Sequence, residues 1–349
     1  MDICIFGAGA IGGLIASRLA QVPQVRISVV ARGRHLEAIR RRGLRVVEGS
    51  AMRAVHVDAT DDSATLGTQD YVFVTVKSQQ FTPSLQHVAP LVGPNTVVIP
   101  PTTAIPYWYF HGLGGPHDGR RVEALDPGHR QWDAIPPSQV LGCVFRVAAQ
   151  VVEPGAVRQD GGYARLPLGE PDGTLSERAL RLSRVMNLAG FESPVVPDIR
   201  GWLWHKAISS LCWNPLAALT GATWGQLASD PRVLALARRM IDEADAVAAS
   251  LGGAPPIPID ERMAAPFSAP HHRMSMLQDL EAGRPLEYEP LLASFHALRE
   301  IAGHASPTID DVYALLHLRA DAGAVARRPF HPPHQPASPA FGDIDGPHA

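Results

Sequence analysis

A glycine-rich segment directly behind a short apolar run constrains this chain more than any other feature of its sequence. Residues 3–6 are apolar, and beyond the glycines apolar side chains recur at helical spacing. The glycines therefore lie on a strand-to-helix turn, which is the setting that a dinucleotide-binding fingerprint requires. The alternative is a turn that serves only helix packing. We expect the backbone here to approach a pyrophosphate, and the residues concerned are Gly7, Ala8, Gly9, Ala10, Ile11 and Gly12.

Further apolar runs of β type follow at residues 27–31, 71–76 and 97–99, with a helical stretch near 35–42 between the first two. This alternation predicts parallel βαβ units, and therefore an α/β, Rossmann-type, doubly wound N-terminal domain. Beyond about Pro197 the apolar residues repeat every 3.6 positions, which predicts an all-α C-terminal domain.

The predicted domain boundary falls where this periodicity changes. We expect residues 1–197 to form the cofactor-binding domain, and residues 198–322 to form a helical domain that binds substrate and carries catalytic groups. Residues 323–349 are rich in proline and contain a His-Pro-Pro-His tract, for which a disordered tail is favoured over metal binding. The segment 106–137 is rich in glycine, proline and aromatic residues, and we expect an ordered excursion that serves as a lid or a dimer contact.

Composition excludes several functional classes. The 349 residues carry a formal net charge of −3 and are 46% hydrophobic, so the chain can bury a core but lacks the basic surface that nucleic acid or an anionic membrane requires. No run reaches the roughly 20 apolar residues that span a bilayer. Three cysteines without a CxxC pair argue against disulfides and structural zinc, so no metal is expected. Because the first strand starts at residue 3, we expect no signal peptide and a cytoplasmic protein.

The end of the second predicted strand determines the choice of cofactor. An acidic residue there would accept hydrogen bonds from a free ribose 2′-hydroxyl, but this chain has Arg32 and Arg34 and no carboxylate before Glu37. A guanidinium pairs well with a phosphate dianion, so NADP(H) is favoured over NAD(H), unless both arginines are merely solvated. Lys77 ends the third predicted strand, where a point cation can serve the cofactor phosphates or an anionic substrate.

Only two of the 31 lysine and arginine residues are lysines, Lys77 and Lys206. A lysine retained in so arginine-rich a chain marks a place where a titratable ammonium is useful, or it survives by chance. Lys206, Ser210 and Asn214 are spaced i, i+4 and i+8, so they share one face of a tryptophan-rich helix. Burial there would lower the pKa of the lysine and suit it to general acid catalysis; a lysine snorkelling from a core helix is the alternative.

Together these residues resemble the ketopantoate reductase family (2-dehydropantoate 2-reductases), over nearly the whole chain up to about residue 320. The resemblance rests on the glycine-rich turn, both lysines, Arg32, Asn214 with Pro215, residues 275–279 and Glu287. It implies an enzyme, an NADP-dependent oxidoreductase that reduces a 2-keto acid to a 2-hydroxy acid. The prototype reaction converts ketopantoate to pantoate in pantothenate biosynthesis.

The resemblance also implies a role for each site residue. Lys206 would act as general acid on the carbonyl oxygen, and Glu287 would orient or polarise the reacting group. Asn214 and Ser275 would hold the hydroxyl and carboxylate of the substrate, with Ser210 beside them. The site would be the cleft between the two domains, and a homodimer is compatible with the sequence.

Two positions depart from the pattern of that family. Thr103 stands where the family carries an asparagine at the junction of cofactor and substrate, and Ser210 replaces another asparagine four residues after the lysine. A hydroxyl makes fewer hydrogen bonds than an amide, and each lost bond costs about 1.5–3 kcal/mol. Three interpretations stay open: a reductase of ketopantoate or a close 2-keto acid, a reductase on the same scaffold for another keto acid, ketone or imine, and a non-catalytic NADP(H)-binding protein.

Overall fold

A computed structural model describes residues 1–49, 51–284, 286 and 288–326. The strands in this part of the chain are β1 (Asp2–Phe6), β2 (Arg26–Val30), β3 (Leu44–Glu48), β4 (Ala51–Val55), β5 (Asp58–Thr60), β6 (Tyr71–Val74), β7 (Val97–Ile99), β8 (Gly142–Cys143), β9 (Arg146–Glu153), β10 (Ala156–Arg165) and β11 (Leu168–Gly169). The helices are α1 (Ala10–Leu19), α2 (Gly33–Arg42), α3 (Ser78–Val88), α4 (Arg130–Ala134), α5 (Glu177–Leu188), α6 (Ile199–Thr220), α7 (Trp224–Ser229), α8 (Pro231–Ser250), α9 (Ile259–Ser268), α10 (Ser275–Glu281), α11 (Glu289–Ala302) and α12 (Pro307–Ala326).

The central sheet has five parallel strands in the order β5-β2-β1-β6-β7. Phe6 at the end of β1 lies opposite Val30 on one side and Val74 on the other, so three strands end at the same edge of the sheet. The glycine-rich turn, Arg32 and Lys77 follow these three ends. Open α/β sheets bind ligands in the crevice at this edge. The predicted Rossmann-type N-terminal fold is confirmed.

A second sheet, in the order β4-β3-β10-β9, goes beyond what the sequence predicts. Helix α1 lies between the two sheets, and a Cβ added to Gly13 would come within 2.8 Å of Val157 Cγ1 on β10. Strand β4 is exposed along most of its length, so it shows no alternation of buried and exposed residues that a sequence pattern could reveal. The second sheet covers α1 and so fixes the helix that begins at the glycine-rich turn.

Helix α6 lies at the centre of the C-terminal region, with α8, α10 and α12 packed against it. Asp198 caps this helix by accepting a hydrogen bond from the Gly201 N–H (2.9 Å). Trp204 and Trp213 are each 1% exposed, so both indoles belong to the core. The predicted all-α C-terminal domain is confirmed, and its first helix starts at Ile199.

Three further expectations concern the C-terminal tail, membrane-spanning helices and disulfide bonds. Helix α12 continues to Ala326, so the predicted start of the tail at residue 323 falls inside a helix, and residues 327–349 lie outside the described part of the chain. Among the described helices, none is long and apolar enough to cross a bilayer. Cys4, Cys143 and Cys212 are buried and free, as expected for a chain without disulfides.

The aromatic part of the excursion at residues 106–137 is core rather than a lid. Tyr107, Trp108, Tyr109 and Phe110 are all exposed by 2% or less. The Tyr109 hydroxyl accepts a hydrogen bond from the Trp204 indole N–H (2.8 Å) and donates one to a backbone carbonyl in the helical region (2.9 Å). These aromatic side chains therefore join the N-terminal region to α6 instead of moving over the site.

A second set of bonds holds the same segment. The Arg200 guanidinium on α6 donates to the carbonyl oxygens of Tyr109 and His111, both at 2.7 Å. Burial lowers the pKa of Arg200, but the side chain stays charged because an arginine pKa starts so high. The first turn of α6 is thus fastened to the excursion by a buried cation and two backbone carbonyls.

We expect Tyr109→Phe to destabilise the protein. Without the hydroxyl, the Trp204 N–H and the Leu251 carbonyl lose their partner in the core, which costs about 1–3 kcal/mol. Urea unfolding followed by tryptophan fluorescence measures this loss. The matched control is Tyr163→Phe, whose ring is 49% exposed and which should change stability by less than about 0.5 kcal/mol. Equal stabilities for the two variants would contradict the account of the excursion as core.

Candidate active site

The glycine-rich turn is tightly packed at Gly7 and Gly12 and open at Gly9. Gly7 has a φ of +107°, and its N–H donates to the Val30 carbonyl (3.0 Å). A Cβ on Gly12 would lie 2.1 Å from the Gly7 carbonyl oxygen, so no side chain fits there. A Cβ on Gly9 would meet nothing within 4 Å. The turn therefore packs tightly against the sheet and presents an unobstructed face at Gly9.

The N-terminus of α1 opens on this free face. Gly9 is the N-cap and supplies no side chain, and the first turn carries no acidic residue. The N–H groups of Ala10, Ile11 and Gly12 therefore have no partner within the helix. Backbone donors and the positive end of a helix dipole suit a pyrophosphate, so this turn fits the cofactor expected from the sequence.

Two arginines follow the end of β2, beside this turn. Arg32 is the N-cap of α2 and Arg34 lies in the first turn of that helix, and both are exposed. Neither guanidinium has an ion-pair or hydrogen-bond partner among the residues that the structure describes. Glu37 is exposed one turn further along α2. Two unpaired guanidinium groups at this place suit the 2′-phosphate of NADP(H).

Lys206 occupies the face of α6 that turns toward the N-terminal domain. Its side chain is half-buried, and its Nζ donates to the Phe145 carbonyl oxygen at 3.0 Å. The pKa of Lys206 is lowered to about 8, chiefly because the ammonium is buried; the nearby Cys143 opposes this lowering and the Arg146 cation adds to it. The ammonium is therefore poised to lose its proton near neutral pH, as the sequence predicted from its apolar helix.

Two turns further along α6, Asn214 joins α10. Its side-chain carbonyl oxygen accepts hydrogen bonds from the Ser275 hydroxyl (3.2 Å) and from the Met276 N–H (3.3 Å). Asn214 is 4% exposed, whereas Ser275 is exposed. Because the Asn214 carbonyl is occupied, the amide N–H groups are the donors that remain for a substrate oxygen. The structure thus brings together two residues that lie 61 positions apart in the sequence.

Lys77 connects the sheet edge to the same helix α10. Its Nζ lies 3.6 Å from a carboxylate oxygen of Asp279, and the other Asp279 oxygen accepts from the Arg284 guanidinium (2.7 Å). The Asp279 side chain is largely buried and the Lys77 side chain is not. The two domains are therefore linked by charge across the site, with Asp279 between two cations.

Three predicted site residues remain: Ser210, Thr103 and Glu287. Ser210 is half-buried between Lys206 and Asn214 on α6, and Thr103 is exposed after β7. Its neighbour Thr102 is buried and donates to the Cys143 carbonyl (2.9 Å), which holds this loop beside the Phe145 segment. Glu287 lies outside the described residues.

Sequence reasoning missed two partners of the site. The Phe145 carbonyl is a backbone group, and no pattern of side chains points to it. Asp279 belongs to a run of residues that resembles the family, but the sequence alone did not predict its pairing with Lys77. The assembled site consists of a pyrophosphate-type turn, a half-buried ammonium and a row of polar side chains on α6, an arrangement that can bind an anionic cofactor and protonate an oxygen.

Two family models match the chain. One, described as ketopantoate reductase PanE/ApbA, matches residues 3–101, and the model for the C-terminal part of that reductase matches residues 198–320. The first covers the central sheet with the glycine-rich turn, and the second begins at the N-cap of α6 and includes α10.

Named proteins are similar over almost the full length. A 2-dehydropantoate 2-reductase of Mesorhizobium japonicum is 44% identical over 316 residues, which are 90% of this chain and 97% of that protein. A crystal structure from Ralstonia solanacearum MolK2, provisionally assigned as a ketopantoate reductase, is 37% identical with a TM-score of 0.84, and covers 92% of this chain and 98% of its own. D-mandelate dehydrogenase in complex with NADH shares the fold at 19% identity and a TM-score of 0.76, over 92% of this chain and 99% of its own. This chain belongs to the ketopantoate reductase family.

Proposed function

We propose that the protein uses NADPH to reduce a 2-keto acid, and that the substrate is 2-dehydropantoate (ketopantoate), which is converted to pantoate for pantothenate biosynthesis. The observation that carries the proposal is the half-buried Lys206, whose lowered pKa and position on α6 suit it to protonate a carbonyl oxygen. Family membership supports the reaction, since the relative at 44% identity is a 2-dehydropantoate 2-reductase. As part of the same proposal, the enzyme acts in the cytoplasm, alone or as a homodimer.

The N-terminal domain holds the cofactor. The free N–H groups at the start of α1 take the pyrophosphate, and Arg32, with Arg34 beside it, takes the 2′-phosphate. When bound, the nicotinamide supplies the hydride. Thr103, exposed after β7, lies on the loop where cofactor and substrate meet.

Lys206 supplies the proton that the substrate carbonyl oxygen takes up. Its Nζ–H now donates to the Phe145 carbonyl, which fixes the direction of the ammonium. A substrate carbonyl oxygen next to Nζ gains negative charge as the carbonyl carbon is reduced, and it then takes the proton from Nζ. Asn214 and Ser275 orient the substrate through the amide and hydroxyl that face the site, and Ser210 stands between them and the lysine. We assign the role of orienting the reacting group to Glu287.

Thr103 and Ser210 favour a second candidate function, the reduction of a different 2-keto acid on the same scaffold. Each replaces an amide of the family pattern by a hydroxyl, which reaches less far and makes fewer hydrogen bonds. A pocket with two shorter side chains has more room for a larger substrate.

The decisive experiment measures the loss of NADPH absorbance with purified protein and 2-dehydropantoate, against a blank without substrate. The proposal expects rapid oxidation that depends on the keto acid. No oxidation of NADPH with 2-dehydropantoate, but oxidation with a bulkier 2-keto acid, would favour the second candidate. No oxidation with any 2-keto acid, by protein that still binds NADPH, would refute both and support a non-catalytic NADP(H)-binding protein.

Activity should fall as the pH rises through about 8, because Lys206 then loses the proton that it has to donate. In Lys206→Ala we expect turnover to drop by roughly 100-fold or more, with NADPH affinity nearly unchanged. The pH profile of kcat/KM for both proteins is the measurement, and Lys206→Arg is the control because a guanidinium stays charged at these pH values. An alkaline limb that persists in Lys206→Ala would assign the titration to another group.

The positive charge of Arg32 at the end of β2 should determine the preference for NADPH over NADH. We expect Arg32→Glu to raise the Kd for NADPH at least roughly tenfold more than the Kd for NADH, because the introduced carboxylate repels the 2′-phosphate. Fluorescence titration with both cofactors measures this ratio. Arg41→Glu makes the same change of charge near the other end of α2 and serves as the control. If the two cofactors weaken equally in Arg32→Glu, Arg32 is not the residue that binds the phosphate.

A further inference from the structure

Arg146 is a cation close to Lys206 that the proposed mechanism does not use. It begins β9 and directly follows Phe145, whose carbonyl accepts the hydrogen bond from Lys206. Its guanidinium carbon lies 5.2 Å from the centre of the Trp202 ring and 5.3 Å from that of Tyr163. Among the residues that the structure describes, it makes no ion pair and no hydrogen bond, and the Glu192 carboxylate that acts on it through space is ion-paired with Arg165. A half-buried guanidinium that only contacts aromatic rings still has its N–H groups to satisfy.

The neighbouring Arg165 provides a comparison for Arg146, because its guanidinium has an ion-pair partner. Arg165 lies directly opposite Arg146 in the pairing of β9 with β10 and contacts the same Trp202 ring at 4.9 Å. Arg165 is ion-paired with Glu192 at 3.2 Å. Two like charges opposite each other in a sheet repel, and burial lowers the pKa of Arg146, so an anion bound next to Arg146 would offset both costs.

The position of Trp202 relates Arg146 to the site. Trp202 precedes Lys206 by four residues, so it continues the row that one face of α6 presents: Trp202, Lys206, Ser210 and Asn214. Arg146 lies over the first member of this row, and Ser275 is bonded to the last. Lys206 therefore has a guanidinium on one side and an amide–hydroxyl pair on the other.

The loop that carries Thr103 is on the Arg146 side. Thr102 donates to the Cys143 carbonyl, three residues before Arg146, so the place where the family has an asparagine adjoins the strand that presents this arginine. Thr103, which stands in place of an amide, and the Arg146 guanidinium thus belong to one region of the site. A planar guanidinium binds a carboxylate through two parallel hydrogen bonds, which a single amide cannot do.

We propose that Arg146 binds the carboxylate of the 2-keto acid substrate, with Trp202 and Tyr163 holding the plane of its guanidinium. The inference rests on the proposed function. It also gives the substrate a direction along α6, because 2-dehydropantoate carries its carboxylate on one side of the reacting carbonyl and its hydroxyl on the other. The carboxylate lies toward Arg146, the carbonyl oxygen lies at Lys206, and the hydroxyl lies toward Asn214.

Binding of pantoate to the enzyme saturated with NADP⁺, measured by calorimetry, tests this without turnover. We expect Arg146→Gln to weaken pantoate binding by roughly 10- to 100-fold and to raise the KM for 2-dehydropantoate by a similar factor. NADPH affinity should change by less than about twofold, which also shows that the variant is folded. Arg165→Gln is the matched control, since it removes the paired guanidinium from the same tryptophan ring and should leave pantoate affinity unchanged.

A neutral ligand separates charge recognition from packing. The amide of pantoate lacks the negative charge, so Arg146→Gln and the wild type should bind it equally weakly. A loss for the amide as large as the loss for pantoate would overturn the proposal, because it would mean that Arg146 only supports Trp202. Unchanged pantoate binding in Arg146→Gln would overturn it as well, while the proposed function would stand. A wild-type enzyme that neither binds pantoate nor reduces any 2-keto acid would refute the proposed function together with this inference.

Discussion

The hydrogen bond from the Lys206 ammonium to the Phe145 carbonyl is the contact on which the arrangement of the site depends. It joins α6 of the helical region to the segment between β8 and β9, and it fixes the direction of the Lys206 ammonium. The same row on α6 brings Asn214 to Ser275. One helix face therefore sets the distance between the proposed proton donor, Lys206, and the groups proposed to orient the substrate, Asn214 and Ser275.

To hold these groups in place, α6 has to be fixed in position relative to the N-terminal region. The buried Arg200 and the Tyr109–Trp204 hydrogen bond fasten the first turns of α6 to the aromatic excursion, within two turns of Lys206. Burying so much aromatic surface is favourable, and it also removes water from around the lysine, so the packing that stabilises the fold lowers the pKa of the ammonium. Stability and reactivity arise here from the same contacts.

Sequence and structure agree where the information is local. The glycine-rich turn follows from a strand, three glycines and a helix within about twenty residues, and the row of Lys206, Ser210 and Asn214 follows from helical spacing alone. The pairing of Lys77 with Asp279 could not be predicted, because it depends on how two domains meet. Strand β3 was missed since its pairing with β10 is long-range, and β4, which pairs with β3, was missed since it is exposed along most of its length. The excursion was expected to be a lid or a dimer contact, and its aromatic residues 107–110 fill the core instead, because aromatic residues among glycines and prolines form the same sequence pattern whether they cover a site or fill a core.

The distribution of charge is compatible with the proposed binding of two anions by a chain with a net charge of −3. Arg32 and Lys77 follow strand ends at one edge of the central sheet, Arg146 and Arg165 lie on β9 and β10 of the second sheet, and their partners differ. Lys77 and Arg165 are neutralised by Asp279 and Glu192, which serve the structure. Arg32 and Arg146, by contrast, make no ion pair within the described residues. Since an unpaired half-buried cation such as Arg146 is costly, such a position persists most readily where a ligand supplies the counter-charge. In the proposed complex the cofactor phosphate neutralises Arg32 and the substrate carboxylate neutralises Arg146, with the reacting carbonyl at Lys206.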